Sequence, residues 1–195
     1  MAAPDASTVA IIGTGKQALP QVAAALDRRE IDEVRVFSPT PAHRQAFAEL
    51  LRPHVATVVM CDAPPTADIV ITATRARQPV LHDVAPNALV VAVGAITPER
   101  AELDADIAAN ASLVVSDSPD TAVVLSHELD GATEVVPLSA VVAGGVTVPT
   151  AGHRVFKAMG LGLADLAVAG EVLHRAAGRG VPIAERQRAA PRWFP

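Results

Sequence analysis

The sequence predicts an α/β protein of the Rossmann type, a doubly wound and mostly parallel sheet with a long C-terminal helix, and three observations support that prediction. Short runs rich in β-branched residues alternate with segments whose apolar residues recur every three or four positions. The strand-like runs are apolar almost throughout, as expected for parallel strands covered on both faces. The first run, Thr8–Ile12, leads straight into Gly13-Thr14-Gly15-Lys16-Gln17-Ala18, a G-x-G-x-x-A turn followed by a helix-compatible segment.

Strands are expected at 8–12, 33–37, 55–60, 69–72, 89–93 and 113–115, each bounded by breakers. Helices are expected at 17–28 and 41–51, with weaker patterns at 98–109 and 119–129. Pro20 is discordant inside the first of these, because proline beyond the opening turn removes a backbone hydrogen bond; the first helix should bend or start late. The apolar segment 137–148, with Ala143-Gly144-Gly145, predicts a short strand and a turn. Residues 152–177 predict one long helix with Val155, Phe156, Met159, Leu163, Leu166, Leu173 and Ala176 on or near one face. Its other face is poor in charge, so it should pack on more than the sheet. The chain thus divides into a dinucleotide-binding domain, 1–150, and a C-terminal helix and tail, 151–195, packing on that domain or on another.

At 195 residues the chain fits one domain with a substantial core. That core is built of small aliphatics, since half the residues are hydrophobic but only 3% are aromatic. No apolar run reaches the ~18 residues of a membrane span, and 1–8 lacks the basic and apolar regions of a secretory signal, so a cytoplasmic protein with no membrane partner is expected. Cys61 is the only cysteine, which excludes an internal disulfide and a cysteine-cluster metal site; no metal is expected. Cys61 reads as a small hydrophobe at a strand end. The net charge of −5 argues against nucleic acid as a partner. The basic stretch with Arg175, Arg179, Arg186, Arg188 and Arg192 reads as a solvated tail.

The glycine turn suits a dinucleotide pyrophosphate. Gly13 permits the tight turn, Gly15 lets backbone approach phosphate, and Ala18 allows close packing of helix on strand. The helix start adds unpaired N–H groups and a positive dipole end. The second strand ends in Phe37-Ser38-Pro39-Thr40-Pro41, without the acid that usually meets an NAD ribose, and His43 and Arg44 follow. Hydroxyls beside an arginine favour NADP(H) over NAD(H). The same residues also read as a helix cap, with Thr40 at the cap and Pro41 at the first helical position, and both roles can coexist. Two later strand ends, Thr72-Ala73-Thr74-Arg75 and Val93-Gly94-Ala95, are small or polar and would line the cofactor cleft, though either alone could be an ordinary turn.

Ala10-Ile11-Ile12-Gly13-Thr14-Gly15 with Gln17-Ala18, Val34-Arg35-Val36-Phe37-Ser38, Ala67-Asp68-Ile69-Val70 with Thr72-Ala73-Thr74, Ala92-Val93-Gly94-Ala95, Glu102-Leu103-Asp104, and Phe156-Lys157 with Gly160-Leu161 and Asp165-Leu166 follow one another in a familiar order and spacing. In these the chain resembles the ornithine cyclodeaminase and mu-crystallin family. The resemblance implies a homodimer that binds a nicotinamide dinucleotide and acts on a small imine or amino acid. It implies that Gly13, Thr14, Gly15, Lys16, Gln17 and Ala18 hold the pyrophosphate. Ser38, Pro39, Thr40 and Arg44 would meet the adenosine ribose, and Thr72, Ala73, Thr74, Val93, Gly94, Ala95 and Met159 the rest of the cofactor.

The departures narrow the chemistry. Ile96 stands where cyclodeaminases carry a catalytic aspartate, and isoleucine can neither take a proton nor activate water. Phe156-Lys157-Ala158-Met159-Gly160 lacks a hydroxyl found near the nicotinamide in relatives, and Pro39 replaces the basic residue of NADP-dependent members. Family members have about a domain's worth of chain upstream, which supplies the lysine and arginine that polarise the imine and grip its carboxylate. Neither Lys16 nor Lys157, the only lysines, matches that lysine. Met1 therefore reads as an internal position used as a start. The expected activity is reduction of small cyclic imines of 2-oxo acids, of the pyrroline- or piperideine-2-carboxylate type, with no catalytic residue assigned; Arg75 and His82 could approach substrate or simply be solvated. The alternatives are a non-catalytic dinucleotide-binding module and an ornithine cyclodeaminase.

Overall fold

Along the first strand, β1 (Thr8–Ile12), successive side chains fall on opposite faces, and both faces are dry. In the computed structural model, which describes residues 1–179, Val9 and Ile11 enter one apolar cluster while Ala10 and Ile12 enter another. A strand buried on both sides needs cover on both sides, and right-handed crossovers supply it. Helices α1 (Ala18–Arg28) and α2 (Pro41–Leu51) cover the Val9 side through Val22, Phe47 and Leu51. Helices α3 (Ala105–Ala109) and α4 (Pro119–Leu125) cover the Ala10 side through Ile107 and Ala122, joined by Leu103 and Leu129.

The remaining strands are β2 (Glu33–Phe37), β3 (Thr57–Cys61), β4 (Ile69–Thr72), β5 (Leu89–Ala92), β6 (Leu113–Ser116), β7 (Val136–Pro137) and β8 (Arg154–Lys157). Among the described residues all eight are parallel, in the order β3-β2-β1-β4-β5-β8-β6-β7. The winding reverses between β1 and β4: β2 and β3 extend to one side of β1, and β4 and β5 to the other. Ile12, the last residue of β1, aligns with Phe37 on one flank and Thr72 on the other. The crevice beyond those strand ends is where such folds take ligands.

The first helix starts late, as Pro20 requires. It opens at Ala18, which puts Pro20 in the first turn, where N–H groups have no intrahelical partner to lose. The expected third strand starts two residues later and ends one later, at Thr57–Cys61, and all five of its residues pair with all five of β2. Cys61 lies half-buried at the end of this edge strand, and burial pushes its thiol up, away from the nucleophilic thiolate.

Three expectations from local pattern fail. The predicted helix over 152–177 is interrupted: Arg154–Lys157 form β8, paired on both sides, and only α6 (Gly162–Arg175) is helical. Positive φ at Gly152 (81°) and Gly160 (80°) breaks the helix, and Val155 fills the sheet core with no exposure instead of lining a helix face. Over 137–148 a short helix, α5 (Leu138–Val142), follows β7 where a turn was expected. Over 98–109 only the last five residues are helical, because the backbone before them bridges: the Val80 and Leu81 N–H groups donate to the Glu102 carbonyl, and Asp104 N–H donates to that of Leu81. Helix α6 buries no residue on the described chain; Leu163, Leu166, Val168, Val172 and Leu173 are all exposed. The tail 180–195 lies outside the described residues.

At the amino-terminal ends of the strands Asp68 fastens β1 to β4. One of its carboxylate oxygens accepts the Ser7 N–H (3.1 Å), the Thr8 N–H (2.9 Å) and the Thr8 hydroxyl (2.7 Å), while Asp68 N–H donates to that hydroxyl. Burial pushes this carboxyl up, but the Thr8 and Ser7 hydrogen bonds and the Arg35 guanidinium outweigh it and hold it below its ordinary 3.8. A carboxyl depressed in the fold stabilises above its unfolded-state value, and that stabilisation is lost as pH falls through the folded value. Asp68→Asn should therefore cost about 1 kcal/mol in urea unfolding at neutral pH, partial exposure keeping the figure small. The gap to wild type should close at pH below 3.8; a gap independent of pH would contradict this role.

Candidate functional site

The glycine turn is wedged between two strand ends. Gly13 has φ 100°, and a Cβ there would lie 2.5 Å from the Ala73 carbonyl oxygen, so no other residue fits. Its N–H donates to the Phe37 carbonyl at 2.9 Å, and Ala73 N–H donates to that of Ile12 at 2.8 Å, tying β1, β2 and β4 together at the switch point. Gly15 differs: a Cβ there would meet nothing within 4 Å. No neighbour inside the protein requires glycine at 15. The open surface it leaves, beside the start of α1, is the cradle that an approaching phosphate needs and a side chain would fill. Thr14, Lys16 and Gln17 flank this cradle, the last two exposed, and Ala18 is buried beneath it. The residues present fit a dinucleotide pyrophosphate.

At the end of β2, Ser38 is buried, and Pro39 and Thr40 are exposed. Thr40 occupies the cap position of α2 with Pro41 at its start, although its hydroxyl makes no capping bond. Arg44 reaches back from α2: its guanidinium donates to the Ser38 carbonyl at 2.8 Å and pairs with Asp62 at 2.6 Å. The Arg44 side chain is 11% exposed and that of Asp62 97%, so the arginine is fixed in place while its partner is free to move.

The ends of β4, β5 and β8 meet over a buried charge network. Glu102, with no exposure, accepts the Thr74 N–H through Oε1 (2.5 Å), and the Thr72 hydroxyl (2.9 Å) and Gly94 N–H (2.7 Å) through Oε2. Behind it, Glu128 accepts the Glu102 and Leu103 N–H groups through Oε1, and the Ser126 hydroxyl and Lys157 ammonium through Oε2. The Lys157–Glu128 pair is sealed from solvent on both sides. On the far side Asp117 accepts the Met159 N–H (2.7 Å) and Gly160 N–H (3.1 Å), fixing the loop after β8.

These contacts place the expected site residues. Gly13, Ala73, Thr74 and Gly94 come together, since a Cβ at Gly94 would strike the Thr74 carbonyl and the Glu102 carboxylate. Met159 joins the edge of the apolar cluster beside β5, where Ala158 N–H donates to the Ala92 carbonyl. Val93 and Ala95 flank Gly94 in the same loop. Thr72 and Thr74 serve the protein itself: the Thr72 hydroxyl goes to Glu102, and the Thr74 hydroxyl accepts the Ala76 N–H. Ser38 and Arg44 stand apart at the β2 end. Ile96 is exposed, His82 pairs with Asp104 at 2.6 Å, and Arg75 lies in an open bowl with Arg77 and Arg100. Sequence reasoning assigned no role to Glu102, Glu128, Lys157 or Asp117. The available signal was a lysine closing an apolar strand, which needs a buried carboxylate to meet it.

The sequence model of the ornithine cyclodeaminase/mu-crystallin family matches residues 1–180. The chain belongs to this family. A Δ1-pyrroline-2-carboxylate reductase of Bacillus cereus is 30% identical across 93% of this chain and 61% of its own length. Ketimine reductase mu-crystallin of Macropus fuliginosus is 32% identical across 88% of this chain and 55% of its own. Among solved structures, the iminosuccinate reductase of Paracoccus denitrificans in complex with NAD+ superposes with a TM-score of 0.84 at 27% identity, covering 93% of this chain and 60% of that one. The chain thus spans about three-fifths of the length of these relatives.

The two glycines of the turn should respond differently to one methyl group. Gly13→Ala should lose about 2 kcal/mol of stability, a fall of roughly 5 °C in a thermal melt. Gly15→Ala should melt within a degree or two of wild type, about the scatter of surface substitutions. Equal melting of the two variants would refute the wedged turn.

Proposed function

We propose that this chain is the cofactor-binding part of a reductase of small cyclic imines of 2-oxo acids, of the pyrroline- or piperideine-2-carboxylate type. The observation that carries the reading is the row of loops at the carboxyl ends of the strands: the Gly13 turn lies against Ala73 and Thr74 at the β1/β4 switch point, Thr74 lies against Gly94 after β5, and the Met159 loop follows β8, the next strand over. The named relatives, two of them imine-carboxylate or ketimine reductases and one a complex with NAD+, support it. When bound, a reduced nicotinamide supplies hydride. The chain's own residues do the rest of the binding work: the Gly13–Ala18 turn receives the pyrophosphate, and the β4, β5 and β8 loops border the nicotinamide half.

NADP(H) is preferred over NAD(H) in this reading. No carboxylate stands on the β2 end itself, and Arg44 is already held beside Ser38 by a carbonyl and by an exposed aspartate that a 2′-phosphate can replace. The protein is read as cytoplasmic and homodimeric, and the uncovered apolar residues of α6 are consistent with assembly. Among the described residues no helix is long and apolar enough to cross a membrane.

A second reading, a dinucleotide-binding module without turnover, has its own support. Ile96 offers no proton, and Lys157 is committed to Glu128 inside the core. Steady-state oxidation of NADPH with pyrroline- and piperideine-2-carboxylate, by a protein that joins this chain to the upstream residues its longer relatives carry, separates the two. Turnover establishes the reductase, and saturable binding without turnover favours the module. Two variants test the cofactor site by fluorescence titration. Arg44→Ala should weaken NADPH about tenfold and leave NADH unchanged. Gly15→Val should fold and lose both nucleotides, and its binding them like wild type would remove the basis of the proposal.

A further inference from the structure

We propose that Glu102 is the positioning residue of the nicotinamide half-site: its carboxylate clamps the β4 and β5 loops in register, and the Lys157–Glu128 pair aims it. The proposal rests on the cofactor reading above and extends it to a residue that contacts no ligand. The end of β4 and the end of β5 lead into separate loops, and past Thr72 and Ala92 the sheet ladder no longer joins them. Beyond the Val93 N–H bond to the Thr72 carbonyl, one side chain takes over. Glu102 accepts the Thr74 N–H on one oxygen and the Gly94 N–H on the other, so the spacing of the two backbones is set by the width of a carboxylate.

The same contact explains the glycine at 94. A Cβ there would overlap the Glu102 carboxylate and the Thr74 carbonyl, so glycine admits the clamp as well as whatever lies above it. Glu102 cannot swing away. Its own N–H and that of Leu103 are held by Glu128, its carbonyl receives Val80 and Leu81, and Glu128 is fixed by Lys157 at the end of β8. Strand β8 runs between β5 and β6 and continues into the Met159 loop. One buried chain of contacts therefore connects all three loops around the nicotinamide half. It meets the glycine turn only at Gly13, beside Thr74, and none of its hydrogen bonds goes to Gly15.

Glutamine is the informative replacement, because it keeps the shape but has one acceptor and one donor end. Either amide orientation turns an NH2 group toward a backbone N–H, that of Thr74 or that of Gly94, and breaks one side of the clamp. The test compares Kd values for NADH and for ADP, which lacks the nicotinamide half, by calorimetric titration of the whole chain. Glu102→Gln should weaken NADH about tenfold and leave ADP unchanged. Thr72→Val, a milder change that removes one donor to Glu102, should weaken NADH several-fold with ADP again unchanged, while Thr72→Ser restores it. These hydroxyl variants decide the matter even where Glu102→Gln is too unstable to purify. Equal losses for NADH and ADP, or no loss for either, would overturn the proposal and leave Glu102 a purely structural group. A wild-type chain that binds ADP as tightly as NADH, or binds neither, would overturn it by a different route, because the nicotinamide site itself would then fail.

Discussion

Where Gly13 crosses the end of β4, the backbone comes so close to the Ala73 carbonyl that a single methyl group would not fit, and the rest of the site follows from that approach. The turn must be glycine, it must have positive φ, and its N–H must find the Phe37 carbonyl. Once those conditions hold, β1 is locked between β2 and β4, the winding of the sheet reverses at that seam, and α1 starts directly over the crevice.

The second organising feature is electrostatic. Burying two carboxylates and an ammonium costs several kcal/mol per ion unless each finds partners. Here every charged oxygen of Glu102 and Glu128 has at least one donor, and Lys157 has Glu128. Apolar side chains could fill that volume at lower electrostatic cost, but they could not hold backbone N–H groups of separate loops at fixed positions. A carboxylate can accept from two directions at once. Asp117 does the same for the Met159 loop, so acidic side chains fix the loops at the carboxyl edge of the sheet on both sides of β8.

Much of this was legible in the sequence, for reasons that differ by element. The strands at 8–12, 33–37 and 69–72 fall where expected because all are short β-branched runs between breakers, and their burial agrees with their pattern. Strand β8 reads as helix in the sequence because Val155, Phe156 and Met159 also suit helical spacing. Only its pairing with both β5 and β6, a long-range fact, decides the matter. The glycine turn announced itself through residue type alone. Glu102 and Glu128 did not, because a buried acid in an irregular segment looks like a surface acid until its partners are known. The cause of glycine at 94 was hidden for the same reason.

Helix α6 presents apolar residues that the described chain leaves uncovered, and the named family members are longer than this chain. The proposed cofactor cradle, by contrast, lies among the described residues. In the proposed function the Gly13–Ala18 turn and the Thr74 and Gly94 loops form one dinucleotide site. Amide NMR spectra recorded during titration with NADPH test it most directly. Saturable shifts are expected at Gly13, Gly15, Thr74 and Gly94 that share a single Kd; a spectrum unchanged at these amides under saturating nucleotide would contradict a single dinucleotide site.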